Sequence, residues 1–179
     1  MTRFKPFLPL IAFFVLIGSF GAAMFFVNPN ELDSQLIDKP FPAFELSELD
    51  DPNAKVNESR LLGEISLVNV FGSWCVACVQ EHPSLVAIGN MNRVKLVGMN
   101  WRDKRDRGRA WLNKYGDPYD YIIFDEISEL AVALGVTGAP ETYLVDQQGM
   151  IRYKHVGIIT RDVWEKDFLP RIEKLEAGI

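Results

Sequence analysis

Cys75 and Cys78 stand two residues apart behind Trp74, and the 179-residue chain has no other cysteine. Such a pair can serve four chemistries. A structural disulfide closing so short a loop contributes about 2 kcal/mol, less than the ~3 kcal/mol of a 15-residue loop, so it staples little. A tetrahedral metal centre needs further thiol or imidazole ligands. Here there is no third cysteine, and His82 and His155 fall in different predicted elements. Covalent haem attachment needs a histidine directly after the second cysteine, and Val79 stands there instead. The fourth chemistry, a redox dithiol, fits a pair that follows a buried strand and opens a helix. The free N–H groups and positive dipole end of a helix N-terminus stabilise a thiolate, the attacking species in disulfide exchange. Cys75, at the turn, is expected to be the exposed nucleophile. Cys78, one turn in, is expected to resolve the mixed disulfide.

Those positions depend on the surrounding elements. Leu67–Phe71 is a short apolar run of the buried-strand kind, and Cys78–Gly89 has helical spacing through Val79, His82 and Val86. Val94–Met99 and Tyr121–Phe124 read as further strands, Arg105–Tyr115 and Glu129–Leu134 as helices. Thr142–Val145 and Ile151–Val156 make a hairpin across Asp146-Gln147-Gln148-Gly149. Thr160 is the expected N-cap of a last helix with Trp164, Phe168, Ile172 and Leu175 on one face. Strands alternating with helices, then a hairpin and a closing helix, imply an α/β sandwich around a mixed sheet.

Residues 1–27 differ from the rest. Phe7–Val27 holds 17 apolar residues and no charge, roughly the length that spans a bilayer. A cleaved signal has a shorter apolar core, and Met24-Phe25-Phe26-Val27 continues past the small residues Gly21-Ala22-Ala23, so a retained anchor is expected. Arg3 and Lys5 precede it and Glu31 and Asp33 follow. The positive flank stays in the cytoplasm, which puts the rest of the chain on the far side, in a bacterium the periplasm, where disulfides are permitted. The expected organisation is an anchor at 1–27, a tether at 28–42 and one domain at 43–179. Without Arg3 and Lys5 the formal charge goes from −5 to −7, which disfavours nucleic-acid binding.

The chain resembles the thioredoxin superfamily and, more narrowly, the membrane-anchored thiol:disulfide reductases of cytochrome c maturation, the DsbE/CcmG group. The resemblance runs from Lys39-Pro40-Phe41-Pro42-Ala43-Phe44-Glu45-Leu46 through Trp74–Cys78 and Val97-Gly98-Met99-Asn100. It continues with Gly135-Val136-Thr137-Gly138-Ala139-Pro140-Glu141-Thr142 and ends with Gly149–Tyr153. It implies a thioredoxin-like sandwich with a helix–strand insert at Trp101–Phe124. Pro140 matches the superfamily's cis-proline, which leaves the backbone of Ala139 free to pair with an extended client, where the bland alternative is an ordinary loop proline. Glu81, three residues after Cys78, matches a carboxylate that exchanges the resolving thiol's proton, and burial is expected to raise its pKa; otherwise it is a solvated surface Glu. Asn69 stands where thioredoxins keep a buried Asp, and Pro83 matches a helix-kinking proline. Trp74 and Glu141, with Thr142, are expected to contact client. The family usually has a proline between the cysteines; Val76-Ala77 stands here, and this pair tunes thiolate stability.

The resemblance implies a periplasm-facing, inner-membrane-anchored reductase. Its clients would be apocytochrome c or a thiol partner of haem ligation, and its electron donor a membrane thiol transporter of the DsbD/CcdA kind. No metal or organic cofactor is implied. One rival reading is a disulfide oxidase or isomerase. Another is a copper-delivery module, although relatives of that kind need a further ligand near Pro140, where Gly138, Ala139 and Glu141 stand.

Overall fold

The structure is a computed structural model that describes residues 8–26 and 35–178. It divides into two units, one holding helix α1 (Leu8–Phe26) and the other holding every other described element. Helix α1 has 19 residues and no charged side chain. Among the described residues no helix is long and apolar enough to cross a membrane, the side chains at both ends of α1 lying outside that set.

The second unit is built on seven strands: β1 (Glu45–Glu48), β2 (Lys55–Asn57), β3 (Ser66–Phe71), β4 (Lys95–Trp101), β5 (Tyr121–Asp125), β6 (Glu141–Val145) and β7 (Ile151–Val156). They lie in the order β2-β1-β5-β4-β3-β6-β7. The central trio β5-β4-β3 is parallel, while β1 and β6 flank it antiparallel. A parallel strand covered on both faces reads as an unbroken apolar run, and β3 is buried at every position. Val68 and Val70 point into one core with Val97, Met99, Ile123 and Tyr143. Leu67 and Phe71 point the other way, Leu67 toward Leu85 and Phe168 and Phe71 toward Trp111 and the cysteines.

Five α-helices, with a 3₁₀ turn at Glu58–Leu61 and a π turn at Trp164–Phe168, complete the described part of the unit: α2 (Val76–Asn90), α3 (Arg105–Tyr115), α4 (Glu129–Ala133), α5 (Arg161–Val163) and α6 (Leu169–Glu176). Thr160 caps α5 as expected, its Oγ1 accepting from the Val163 N–H at 3.2 Å. The closing helix is not continuous, because a π turn over Trp164–Phe168 separates α5 from α6. Pro170 lacks an N–H and its ring crowds the turn before it, where the wider turn lies. Trp164, Phe168 and Ile172 are buried and Leu175 is partly buried against them.

Two features depart from the sequence reading. The β1–β2 hairpin gave no signal, being short and polar with Val56 its single buried residue. The expected tether is docked over its last residues. Phe41 is buried, its N–H donates to Gly149 O at 2.8 Å, and Pro40 bridges Met150. Tertiary pairing with the start of β7 orders a stretch whose prolines read as linker. The stretch expected to be the insert forms α3 and β5: Trp111 and Leu112 of α3 pack with Phe71 and the cysteines, and β5 sits between β4 and β1.

Candidate active site

Strand β3 ends at Phe71 and the chain turns through Gly72-Ser73-Trp74 into α2. Gly72 has no room for a side chain, since a Cβ there would lie 2.5 Å from Trp74 Nε1. The turn is pinned by Asp103, which accepts from Ser73 N–H at 2.6 Å and Ser73 Oγ at 2.7 Å. Asn100 Nδ2 and the Lys104 N–H also donate to Asp103, at 3.1 and 2.8 Å. Trp74 is half exposed, donates Nε1 to Trp101 O at 3.0 Å and meets the Trp101 ring edge-on.

Cys75 is the N-cap of α2 and is joined to Cys78 as a disulfide, with Cα atoms 5.3 Å apart. The Cys78 N–H lies 3.1 Å from Cys75 Sγ, the helix-terminus donor that the spacing implied. Cys75 is not exposed in this oxidised form. Both cysteines are buried among Phe71, Trp111 and Ile122, at 4% and 2% exposure. The α3 packing that closes over them comes from the insert, which the local motif does not contain. What distinguishes Cys75 is its neighbour: its Sγ lies 3.4 Å from Ala139 O, and the Ala139–Pro140 peptide is cis. Trp74, Cys75, Val76, Trp111 and Tyr115 line an open groove beside the sulfur.

Behind the disulfide lies a buried polar cluster. Glu81 is fully buried on α2; its Oε2 accepts from Asn69 Nδ2 at 2.9 Å and its Oε1 from the Ile159 N–H at 2.8 Å. Burial pushes its carboxyl up to about 7, against the two hydrogen bonds that favour the charged form. Asn69 is fully satisfied, also donating to Thr142 Oγ1 and accepting from Tyr119 O–H, at 2.9 and 2.8 Å. Burial, with Glu81 nearby, holds the Tyr119 hydroxyl well above its ordinary pKa, so it remains a donor. Tyr119 stacks on Phe71. Pro83 lies inside α2, where it withholds one helical N–H.

Glu141, expected in the client groove, is fully buried beneath it. Oε1 accepts from Thr137 N–H, Thr137 Oγ1 and Gly138 N–H at 2.8, 2.5 and 3.2 Å. Oε2 accepts from Tyr143 O–H and pairs with Lys154 Nζ, both at 3.0 Å. Thr142, also expected in the groove, is buried on Asn69. The period-2 alternation of β6 turns its side chains into the two cores rather than along the groove. His82 is buried with Nε2 2.8 Å from Gly116 O, and burial holds it below its ordinary pKa. His155 is likewise buried and depressed. Trp111, Trp164 and Phe168 are core residues. Sequence reasoning missed Asp103 and Tyr119. Asp103 had only its place ahead of a helix as a signal, and Tyr119 had none.

The Redoxin family profile matches residues 37–168. The chain is 41% identical over 175 residues to the thiol:disulfide interchange protein DsbE of Pseudomonas aeruginosa, covering 98% of this chain and 96% of that one. It is 40% identical over 148 residues to the DsbE of Escherichia coli K12, covering 82% and 80%. Among solved structures it is similar to a secreted thiol-disulfide isomerase from Corynebacterium glutamicum, with a TM-score of 0.65 and 24% identity over 83% of this chain and 96% of that one. A secreted Mycobacterium tuberculosis disulfide oxidoreductase aligns with a TM-score of 0.61 at 18% identity, over 74% and 96%. These two show the shared thioredoxin-like fold.

Proposed function

The chain belongs to the Redoxin family, among the DsbE-type thiol:disulfide interchange proteins, and is a thiol-disulfide oxidoreductase; from this we propose that it is the anchored reductase of periplasmic cytochrome c maturation. The observation that carries the reading is the Cys75–Cys78 disulfide at the start of α2, with Cys75 Sγ beside the carbonyl ahead of cis-Pro140. In the reduced protein, the Cys75 thiolate attacks one sulfur of a client disulfide. The Cys75–client bond forms, the client S–S bond breaks, and a client thiolate leaves and takes a proton. Glu81 receives the Cys78 proton. The Cys78 thiolate then attacks Cys75 Sγ, reforms the internal disulfide and releases the second client thiolate. Two electrons pass to the client. In an oxidising compartment a dithiol donor must restore them, and a membrane thiol transporter of the DsbD/CcdA kind fits.

Trp74 and the Ala139 backbone flank the nucleophile and are assigned to client contact. Glu141 is assigned to holding the Thr137–Gly138 loop. The clients are apocytochrome c or a haem-ligation thiol protein, by family membership. The anchor reading rests on the sequence, in which Phe7–Val27 is uncharged and Arg3 and Lys5 precede it. The tether is then shorter than 28–42, since Pro40 and Phe41 are docked on the domain. Copper delivery is the weaker alternative, because relatives of that kind need a further ligand near Pro140, where Gly138 and Ala139 stand and Glu141 is bound to Thr137 and Lys154.

The full chain in non-ionic detergent, equilibrated with glutathione buffers at pH 7, tests the direction of transfer. A dithiol potential between about −180 and −270 mV is expected, whereas a value near about −120 mV belongs to an oxidant and overturns the reductase reading. Cys75→Ser is expected to abolish disulfide reduction outright, and residual turnover would reassign the nucleophile.

A further inference from the structure

The groove beside the dithiol has a charge that the molecule as a whole does not. The chain after residue 27 carries a formal −7, yet residues 102–114 hold six cations and two acids. Two of those cations are used internally. Arg105 donates to Leu49 O at 2.9 Å, and Arg109 pairs with Asp50 and with Asp117. Asp103 is buried on Ser73. Arg102, Lys104, Arg107 and Lys114 are exposed. Among the described residues none of these four has a carboxylate within ion-pair distance.

Their placement is what matters. Arg107 and Lys114 line the groove that holds Cys75, and Arg102, Lys104 and Arg107 line an adjoining hollow that shares Ser73 and Trp74 with it. The acids here are Asp106, exposed on α3, and Asp103 and Glu126, which line the hollow, so cations lead four to three, with Asp103 turned onto Ser73, Asn100 and the Lys104 N–H. The same rim exposes Trp74, Val76 and Tyr115, large apolar surface that finds no cover in the fold. Arg102 lies over the Trp101 ring and Lys114 over the Tyr115 ring, contacts that leave their charge unneutralised. Cations kept close together without carboxylate partners gain stabilisation when an anionic partner arrives, and they speed its approach. Guanidinium groups bind carboxylates through paired, charge-assisted hydrogen bonds.

We propose that this groove selects client polypeptides whose disulfide lies in an extended segment rich in Asp and Glu. The inference rests on the thiol-exchange function and specifies its substrate class. Three disulfide peptides of equal length, with acidic, neutral or basic flanks, are reduced by the full chain in non-ionic detergent. Each rate is divided by that with a small neutral dithiol, because flanking charge also alters the leaving thiol. At ~10 mM ionic strength the acidic peptide is expected to react at least about tenfold faster than the basic one, converging to within about twofold at ~1 M. Arg107→Glu with Lys114→Glu reverses the order, while the charge-matched Lys55→Glu with Lys174→Glu preserves it. A ratio within twofold at low salt, one that survives the Arg107/Lys114 reversal, or one moved equally by the control pair overturns the inference alone. Failure to reduce even the neutral peptide overturns the functional reading and this inference with it.

Discussion

Glu81 is the residue where burial and chemistry meet. Its carboxyl is pushed up to about 7, against an ordinary 4.5, because α2 buries it against Asn69 and Ile159. A raised carboxyl pKa means the folded protein keeps a proton that the unfolded chain releases. Stability is therefore full below about pH 4.5 and declines as pH rises through about 7, by on the order of 3 kcal/mol. Urea unfolding of wild type and Glu81→Gln from pH 4 to 8 checks the sign: the wild type loses stability across this window and the variant does not. A parallel pH slope in both proteins would remove Glu81 as the cause. The resolving step is expected to quicken through pH 7 as Glu81 ionises, and to lose that rise in Glu81→Gln. At this scale the sequence was informative about Cys75, Cys78 and Glu81, since an i, i+3 spacing puts a side chain on a known helix face. It was silent on Tyr119, which reaches Asn69 across 50 residues.

The elements contribute by fixing two loops, one on each side of the sulfurs. Asp103, between β4 and α3, holds Ser73 ahead of Cys75. Asp103→Ala leaves the Ser73 N–H without its acceptor, and is expected to cost about 2 kcal/mol in urea unfolding and to slow exchange. On the other side, Glu141 on β6 and Lys154 on β7 form a buried ion pair whose carboxylate also binds the Thr137–Gly138 backbone. Lys154→Met strands a buried carboxylate and is expected to cost about 3–5 kcal/mol; adding Glu141→Gln restores part of that. If the double variant is no more stable than Lys154→Met, the penalty is not the stranded charge. The hairpin carrying Glu141 was legible from its turn, whose Gly149 adopts φ +79°. The inward direction of Glu141 was not, because a resemblance names a position without saying what packs over it.

The whole molecule joins a charge-free helix to a net-acidic domain with a basic rim beside its dithiol. If α1 anchors the chain, the full protein should pellet with inner membranes, and the domain should be digested by protease added to the periplasmic side. Removing residues 1–27 should release it to the soluble fraction. Protection of the domain in spheroplasts would place it on the cytoplasmic side and remove the periplasmic reading.

Local chemistry was what the sequence determined by itself: a dithiol at a strand–helix turn, the order of most strands and helices, and the apolar faces that drive them together. These follow from spacings of a few residues, where period and cap residues act directly. Tertiary structure alone decided what surrounds the dithiol. The insert buries both cysteines, Tyr119 and Thr142 converge on Asn69, and Glu141 turns inward to Lys154. Each of these joins side chains from different elements, and for most of them the sheet order brings together groups that are far apart in the chain. Desolvation, which sets the Glu81 pKa, exists only once those elements have closed over it.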